Sequence, residues 1–247
     1  MNDQAPQRVA LVTGGSRGIG AAIARRLAGD GFAVAINYAA SAAEADALAD
    51  ELRQAGGRAL AVRADVSKPA QVRAMFEAVE AGLGRIDVLV NSAGVLQVQP
   101  LADTSDELYD QTFDINTRGT FNTLREAGAR LADGGSIVNV SSTTVALNLP
   151  GYSVYIASKA AVESFTQVFA KELRGRRIRV NAVAPGPVAT ALFFKGKSPE
   201  LIEHYAKMPP LERLGEPEDI AGIVSFLAGP DSGWVNGQIL RANGGVA

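Results

Sequence analysis

No cysteine occurs in the 247 residues, which removes disulfides, thiolate nucleophiles and cysteine-ligated metals. Histidine is nearly absent too: His204 stands alone and cannot anchor a multi-histidine metal centre. No run of eighteen apolar residues is present, so no membrane-spanning helix is expected. The opening MNDQAPQR is polar and lacks the apolar centre of a secretory signal. Neither sign of charge is in excess, since 24 lysines and arginines face 26 acids for a formal net of −2. That leaves no basic footprint for nucleic acid. A cytoplasmic protein is the expectation from these absences. Apolar residues are plentiful at 47%, enough for the core of one large α/β unit.

Short β-branched runs alternate with longer Ala/Leu/Arg-rich stretches. The runs at 8–13, 32–37, 58–63, 86–91, 136–141, 177–183 and 238–241 read as strands. VALVT and IDVLVN are nearly continuous in apolar residues, as strands covered on both faces are. Between them, 18–28, 42–54, 70–81, 105–131, 153–173 and 217–227 carry helical periodicity. The expectation is a single domain over 1–247: a doubly wound, parallel, seven-stranded sheet with helices on both faces. The long segment between the sixth strand and the last helix breaks the rhythm, with four prolines in APGP and MPP. A lid is expected over about 187–215, with a short helix from Pro199 to Lys207. Trp234 is expected to pack near the last strand.

After the first strand comes TGGSRGIG, Thr13 to Gly20. Gly14, Gly18 and Gly20 let the backbone turn tightly and approach a pyrophosphate, with Ser16, Arg17 and Ile19 between them. The helix beginning near Gly18 points its free N–H groups at the same place. At the end of the second strand a carboxylate would bind a ribose 2′-hydroxyl and repel a 2′-phosphate. The sequence there is INYAAS, with no acid. Asn37 and Ser41 can donate, flanking Tyr38 and Ala39, and Arg17 can supply positive charge. The expected cofactor is therefore NADP(H). Asp65 and Val66 follow the third strand, where Asp65 serves either as acceptor for the adenine amino group or as a helix N-cap. NSAG, Asn91 to Gly94 with Ala93, closes the fourth strand beside the adenine ribose.

Tyr155 and Lys159 lie four residues apart, one turn of helix, so phenol and ammonium share a face. A cation ~4–5 Å away at an effective dielectric of ~20 favours phenolate by roughly 3–4 kcal/mol. That would lower a pKa near ~10 by ~2–3 units. Ser142 lies thirteen residues upstream of Tyr155. Addition of hydride to a ketone develops negative charge on oxygen, which two hydroxyls can stabilise and Tyr155 can protonate. Strand alternation turns Ser141 away from Ser142. Tyr152 is read as lining the substrate pocket.

These pieces, with IN at Ile115–Asn116, IVNVSS at Ile137–Ser142, YIASK at Tyr155–Lys159 and NAVAPGPVAT at Asn181–Thr190, run in order along nearly the whole chain. Together they resemble the short-chain dehydrogenases/reductases, a family with a Rossmann fold. The nearest group is the NADP-preferring one of 3-oxoacyl-carrier-protein reductases and bacterial ketone reductases. The resemblance implies that Tyr155 is the acid–base residue, that Lys159 lowers its pKa and holds the nicotinamide ribose, and that Ser142 donates to the carbonyl oxygen. It implies that Asn116, within the long helix 105–131, anchors a water leading to Lys159. Pro185, Gly186, Val188 and Thr190 would form the nicotinamide pocket. Homotetramers are usual in the family and dimers less so, with 105–131 and 153–173 as candidate contact helices.

The lid begins ALFFKGK, so Leu192, Phe193 and Phe194 suggest an apolar roof over a small-molecule carbonyl substrate, or else a subunit contact. An NADPH-dependent carbonyl reductase is the leading expectation. A reductase of 3-oxoacyl thioesters on an acidic carrier protein or CoA is the alternative, with Arg125, Arg130, Arg174 and Arg176 as candidate docking cations. A non-catalytic NADP(H)-binding protein is a third.

Overall fold

The computed structural model describes residues 7–247; residues 1–6, most of the polar opening segment, lie outside the described residues. The strands β1 (Val9–Thr13), β2 (Ala33–Tyr38), β3 (Ala59–Arg63), β4 (Ile86–Asn91), β5 (Ser136–Val140), β6 (Arg179–Pro185) and β7 (Ile239–Ala242) form one sheet. All pairings are parallel and the order is β3-β2-β1-β4-β5-β6-β7. Alternating side chains divide the core into two layers. Ala10 and Val12 of β1 join Val34 and Ile36 of β2 on one face, while Val9 and Leu11 join Ala33 and Ala35 on the other. Helices α1 (Gly18–Gly29), α2 (Ala42–Gln54) and α10 (Pro217–Ala228) cover the first layer. Helices α3 (Pro69–Gly82), α5 (Gly119–Arg130) and α7 (Ser153–Glu172) cover the second.

The stretch 105–131, expected as one helix, has three parts. Helix α4 (Asp106–Phe113), capped by the Ser105 hydroxyl, runs into a π-helical turn at Asp114–Arg118 and then α5. The turn brings Asn116 fully inside, where its amide bonds Val95 and Ser158. Such insertions bulge one residue out of the regular ladder. The sixth strand begins two residues later than expected because Arg177 has φ 55°, a left-handed conformation that no strand accommodates.

The lid carries α9 (Pro199–Lys207) where a helix was expected, with Ser198 accepting from Leu201 N at 3.3 Å. It also carries α8 (Ala191–Phe194), whose cap is the Thr190 hydroxyl, 3.1 Å from Phe193 N. Another short helix, α6 (Thr144–Leu147), follows β5. Periodicity cannot reveal helices of one turn. The indole of Trp234 does not pack near β7 as expected; it is fully exposed beyond the turn at Pro230–Ser232. No helix among the described residues is long and apolar enough to cross a membrane.

A string of buried polar side chains crosses the second layer beneath the strand ends. Thr123 Oγ1 donates to Asn91 Oδ1 (2.7 Å), Asn91 Nδ2 to Asn139 Oδ1 (2.8 Å), and Asn139 Nδ2 to Thr166 Oγ1 (2.9 Å). It ties α5, β4, β5 and α7 together in register. Removing its middle member leaves the buried Asn91 Nδ2 without its acceptor and Thr166 Oγ1 without its donor. Asn139→Leu is expected to lower unfolding free energy by about 1–3 kcal/mol, read by urea denaturation with circular dichroism. A change under about 0.5 kcal/mol, the size of an ordinary surface substitution, would contradict this account of the string.

Candidate active site

The strand order reverses between β1 and β4, and the connections leave a crevice at the carboxyl ends of the strands there. A cleft of about 480 Å³ opens at this edge, running from the glycine turn to the lid. The sequence places Gly14, Ser16, Arg17, Gly18, Ile19 and Gly20 at one end of it, and the fold does the same. Gly14 has φ 60°, and a Cβ on it would come within 2.7 Å of Ala93 Cα. Gly20 is packed against the Gly14 carbonyl. Gly18, with φ 53°, opens α1, whose first turn carries no acid. Its unpaired N–H groups and positive dipole end suit a phosphate.

At the end of β2, Tyr38, Ala39 and Ser41 line the cleft, and no carboxylate lies among them. Arg17 is exposed, extended, and in no ion pair among the described residues. Asn37 differs from the expectation of a free donor. Its amide donates to the Ala64 carbonyl at 3.0 Å and to Val62 at 3.3 Å, and its oxygen accepts from Gly14 N at 3.3 Å. It braces the glycine turn against the end of β3, leaving positive charge to Arg17. Sequence reading missed Arg63, paired in register with Tyr38, whose guanidinium donates to the Ala39 carbonyl at 3.3 Å. Only strand pairing could have brought it into view.

Asp65 and Val66 line the cleft, with one Asp65 oxygen accepting from Ser67 N at 2.9 Å. The N-cap of α3 is Lys68, so Asp65 closes a turn rather than capping the helix. Ala93 and Gly94 also face the cleft. Asn91 does not: its side chain turns inward to Asn139 and Thr123, because a buried amide needs those partners. Pro185, Gly186, Val188 and Thr190 form the wall below the lid. Gly186 lies so close to Asn243 that a Cβ would meet its Cα at 2.8 Å.

Ser142, Tyr155 and Lys159 converge at the centre. The Ser142 hydroxyl accepts from Thr144 Oγ1 at 2.9 Å and from Thr144 N at 3.3 Å, which leaves its own proton for the Tyr155 oxygen or a substrate oxygen. Ser141 is bonded instead to Glu163 Oε1 at 2.7 Å, across the sheet's alternation. Lys159 lies almost wholly buried with Nζ donating to the Val140 carbonyl at 2.8 Å and standing 5.9 Å from the centre of the Tyr155 ring. Burial pushes its pKa down to about 8. Burial also pushes the Tyr155 phenol up, against a smaller downward pull from its hydrogen bond with Ser142. The spacing argument expected a lowered phenol. Loss of water decides the direction here, and Lys159 donates to a carbonyl oxygen.

Asn116 does not line the cleft. It sits behind Gly94: a Cβ on that glycine would lie 3.3 Å from Asn116 Oδ1 and 3.4 Å from Lys159 Nζ. Its side chain is taken up by the Val95 backbone and by Ser158 Oγ (3.0 Å), so the amide braces the Gly94–Val95 turn and α7.

At the lid end Tyr152, Leu192 and Phe193 border the cavity, as expected. Leu192 is half exposed and Phe194 lies outside the lining, so the apolar roof is narrower than ALFF suggested. Tyr205 and Met208 of the lid, Leu147 and Leu149, and Val246 near the C-terminus also line it and were missed. They come from segments whose path over the cleft no local pattern encodes. His204 is exposed beside Tyr205. Among the described residues no cluster of three or more His, Asp or Glu comes together that could hold a metal.

A family model described as enoyl-(acyl carrier protein) reductase matches residues 14–247. A short-chain type dehydrogenase/reductase of Picea abies is 46% identical and aligns over 96% of this chain and 92% of its own. The chain belongs to the short-chain dehydrogenase/reductase family. The chloroplastic NADPH-dependent aldehyde reductase-like protein of Arabidopsis thaliana is 48% identical, over 96% of this chain and 93% of that one. Among solved structures, a blue fluorescent protein from a metagenomic library, in complex with NADPH, superimposes with TM-score 0.93. It is 41% identical and covers 98% of each chain.

In this short-chain dehydrogenase/reductase the buried amine has a direct signature. A side-chain NMR titration of the cofactor-free protein should find one lysine losing its proton near pH 8, absent from Lys159→Met. A midpoint at the ordinary 10.5 would show that burial does not control this group.

Proposed function

We propose that the chain is an NADPH-dependent carbonyl reductase that converts a ketone or β-keto ester into a secondary alcohol. The observation that carries this reading is the convergence of the Ser142, Tyr155 and Lys159 side chains in one cleft with the glycine turn. The residues fit the cofactor: a glycine cradle that a Cβ would fill, an open helix N-terminus, and Arg17 and Arg63 where an acid would exclude a 2′-phosphate. NADPH-bound and NADPH-named relatives support it. When bound, NADPH supplies the hydride.

The chain's own residues would do the rest. Ser142, with its lone pairs occupied by Thr144, presents its proton to the substrate oxygen. Tyr155, kept protonated by burial, donates the proton that completes the alcohol. Lys159 carries positive charge below about pH 8, which would offset the tyrosinate as it forms. Asn116 fixes the Gly94–Val95 turn against Lys159. A protonated phenol suits reduction, since the reverse direction starts from phenolate.

The carrier-protein alternative has less support. Arg130 is bound to Glu77, Glu80 and Glu126, and Arg176 to Asp133 and two main-chain carbonyls. Both lie before β5 and β6, at the sheet edge opposite the cleft. Self-association as a tetramer is supported by half-exposed Phe121 on α5 and Val168 on α7. A cytoplasmic location belongs to the same proposal.

NADPH oxidation screened over ketones, β-keto esters, quinones and acyl thioesters tests the reading, which fails if no carbonyl compound is reduced. Tyr155→Phe should lower kcat/KM by at least ~100-fold while NADPH still binds. Retained turnover would remove Tyr155 from the acid–base role. Arg17→Ala should weaken NADPH about 10- to 100-fold and leave NADH nearly unaffected, as expected for one charge-assisted phosphate contact. Equal losses with both cofactors would place the 2′-phosphate elsewhere.

A further inference from the structure

Two phenols meet where the lid crosses the substrate end of the cleft. Tyr152 comes from the turn before α7 and is 7% exposed; Tyr205 comes from α9. Their oxygens are 3.4 Å apart, and neither hydroxyl has another partner among the described residues. Two hydroxyls carry two protons, and one contact uses only one of them. One O–H donor and several lone pairs are therefore unspent in a cavity whose neighbouring walls are apolar or aromatic.

Those walls are largely aromatic. Phe193 meets the Tyr205 ring edge-on at 5.6 Å, and Tyr152 meets Tyr155 edge-on at 6.5 Å. Leu147, Leu149 and Met208 fill the remainder. Lys197 also lines this end, with Nζ donating one of its protons to the Phe193 carbonyl at 2.6 Å and lying over its ring at 4.7 Å. A substrate oxygen would find the spare O–H donor of the tyrosine pair here.

We propose that Tyr152 and Tyr205 form a second oxygen-recognition subsite, selecting carbonyl substrates whose flat apolar skeleton carries a hydroxyl or second carbonyl besides the reacting one. This rests on the reading of Ser142 and Tyr155 as the pair that engages the reacting oxygen. The subsite bridges body and lid, so the same oxygen would tie α9 down over the bound substrate. Burial pushes the Tyr152 phenol up, so it stays a neutral donor through the range in which Tyr155 works.

The test compares 2-tetralone with its isomeric ring-hydroxylated derivatives for the NADPH-saturated protein and for Tyr205→Phe, which keeps the ring and removes the oxygen. For the wild-type chain at least one isomer should exceed 2-tetralone in kcat/KM by about 10-fold, mainly through KM, the effect of one buried hydrogen bond. In Tyr205→Phe the ratio should fall toward one, and Tyr152→Phe should do the same. No preference in the wild type, or a preference that survives both substitutions, overturns the subsite. Calorimetry with 2-naphthol and naphthalene, on the same NADPH-loaded proteins, separates the two readings. If no ketone is reduced but 2-naphthol binds better and loses its advantage in Tyr205→Phe, the subsite stands and the reductase reading falls. If that advantage is absent as well, the subsite falls with it.

Discussion

The Lys159 amine lies at the base of the cleft with a carbonyl oxygen 2.8 Å away and almost no water around it. An ammonium in that position is stabilised by one strong acceptor and destabilised by everything it has lost from solvent. The balance leaves it still charged at neutral pH but close to losing its proton, and the same dryness keeps the Tyr155 phenol protonated. The reactive groups are thus poised by exclusion of water more than by mutual attraction. Anything that filled the cleft with solvent would relax both groups toward their ordinary acidities.

Such dryness demands a scaffold with no slack. The parallel sheet delivers its strand ends to one edge, and side-chain bonds hold the edge in register. Asn139 joins two strands and a helix, Ser141 reaches Glu163, and Asn116 staples the turn after β4 to α7. Every buried side-chain nitrogen and oxygen among the described residues has a partner. Because an unpartnered amide in this interior is costly, each of these residues admits few alternatives. The glycines complete the fit where backbone must touch backbone, as Gly14 does against Ala93.

The sequence was most readable where chemistry and local period coincide. Tyr155 and Lys159 are a turn apart on a long helix, TGGSRGIG follows an apolar strand, and the missing acid after β2 is visible in the letters themselves. Seven strands and their parallel pairing follow from the alternation of short and long segments. Asn37, Asn91 and Asn116 were harder, because an amide's role depends on which partners the fold brings within reach. All three proved to be braces, Asn37 in the wall of the cleft and Asn91 and Asn116 behind it. The phenol acidity was misjudged because spacing reveals the neighbouring charge but not the absence of water. Arg63, Tyr205 and Val246 belong to the cleft surroundings only through tertiary path, which no window of sequence contains.

Trp234 is the single indole in the chain, and it stands fully in water. Its emission should therefore be blind to the order of the core and change little when the packed layers loosen. It would respond instead to whatever comes to rest on the loop after α10. The molecule thus carries an intrinsic optical reporter on its outer surface, suited to detecting contact with another macromolecule and poorly suited to following unfolding.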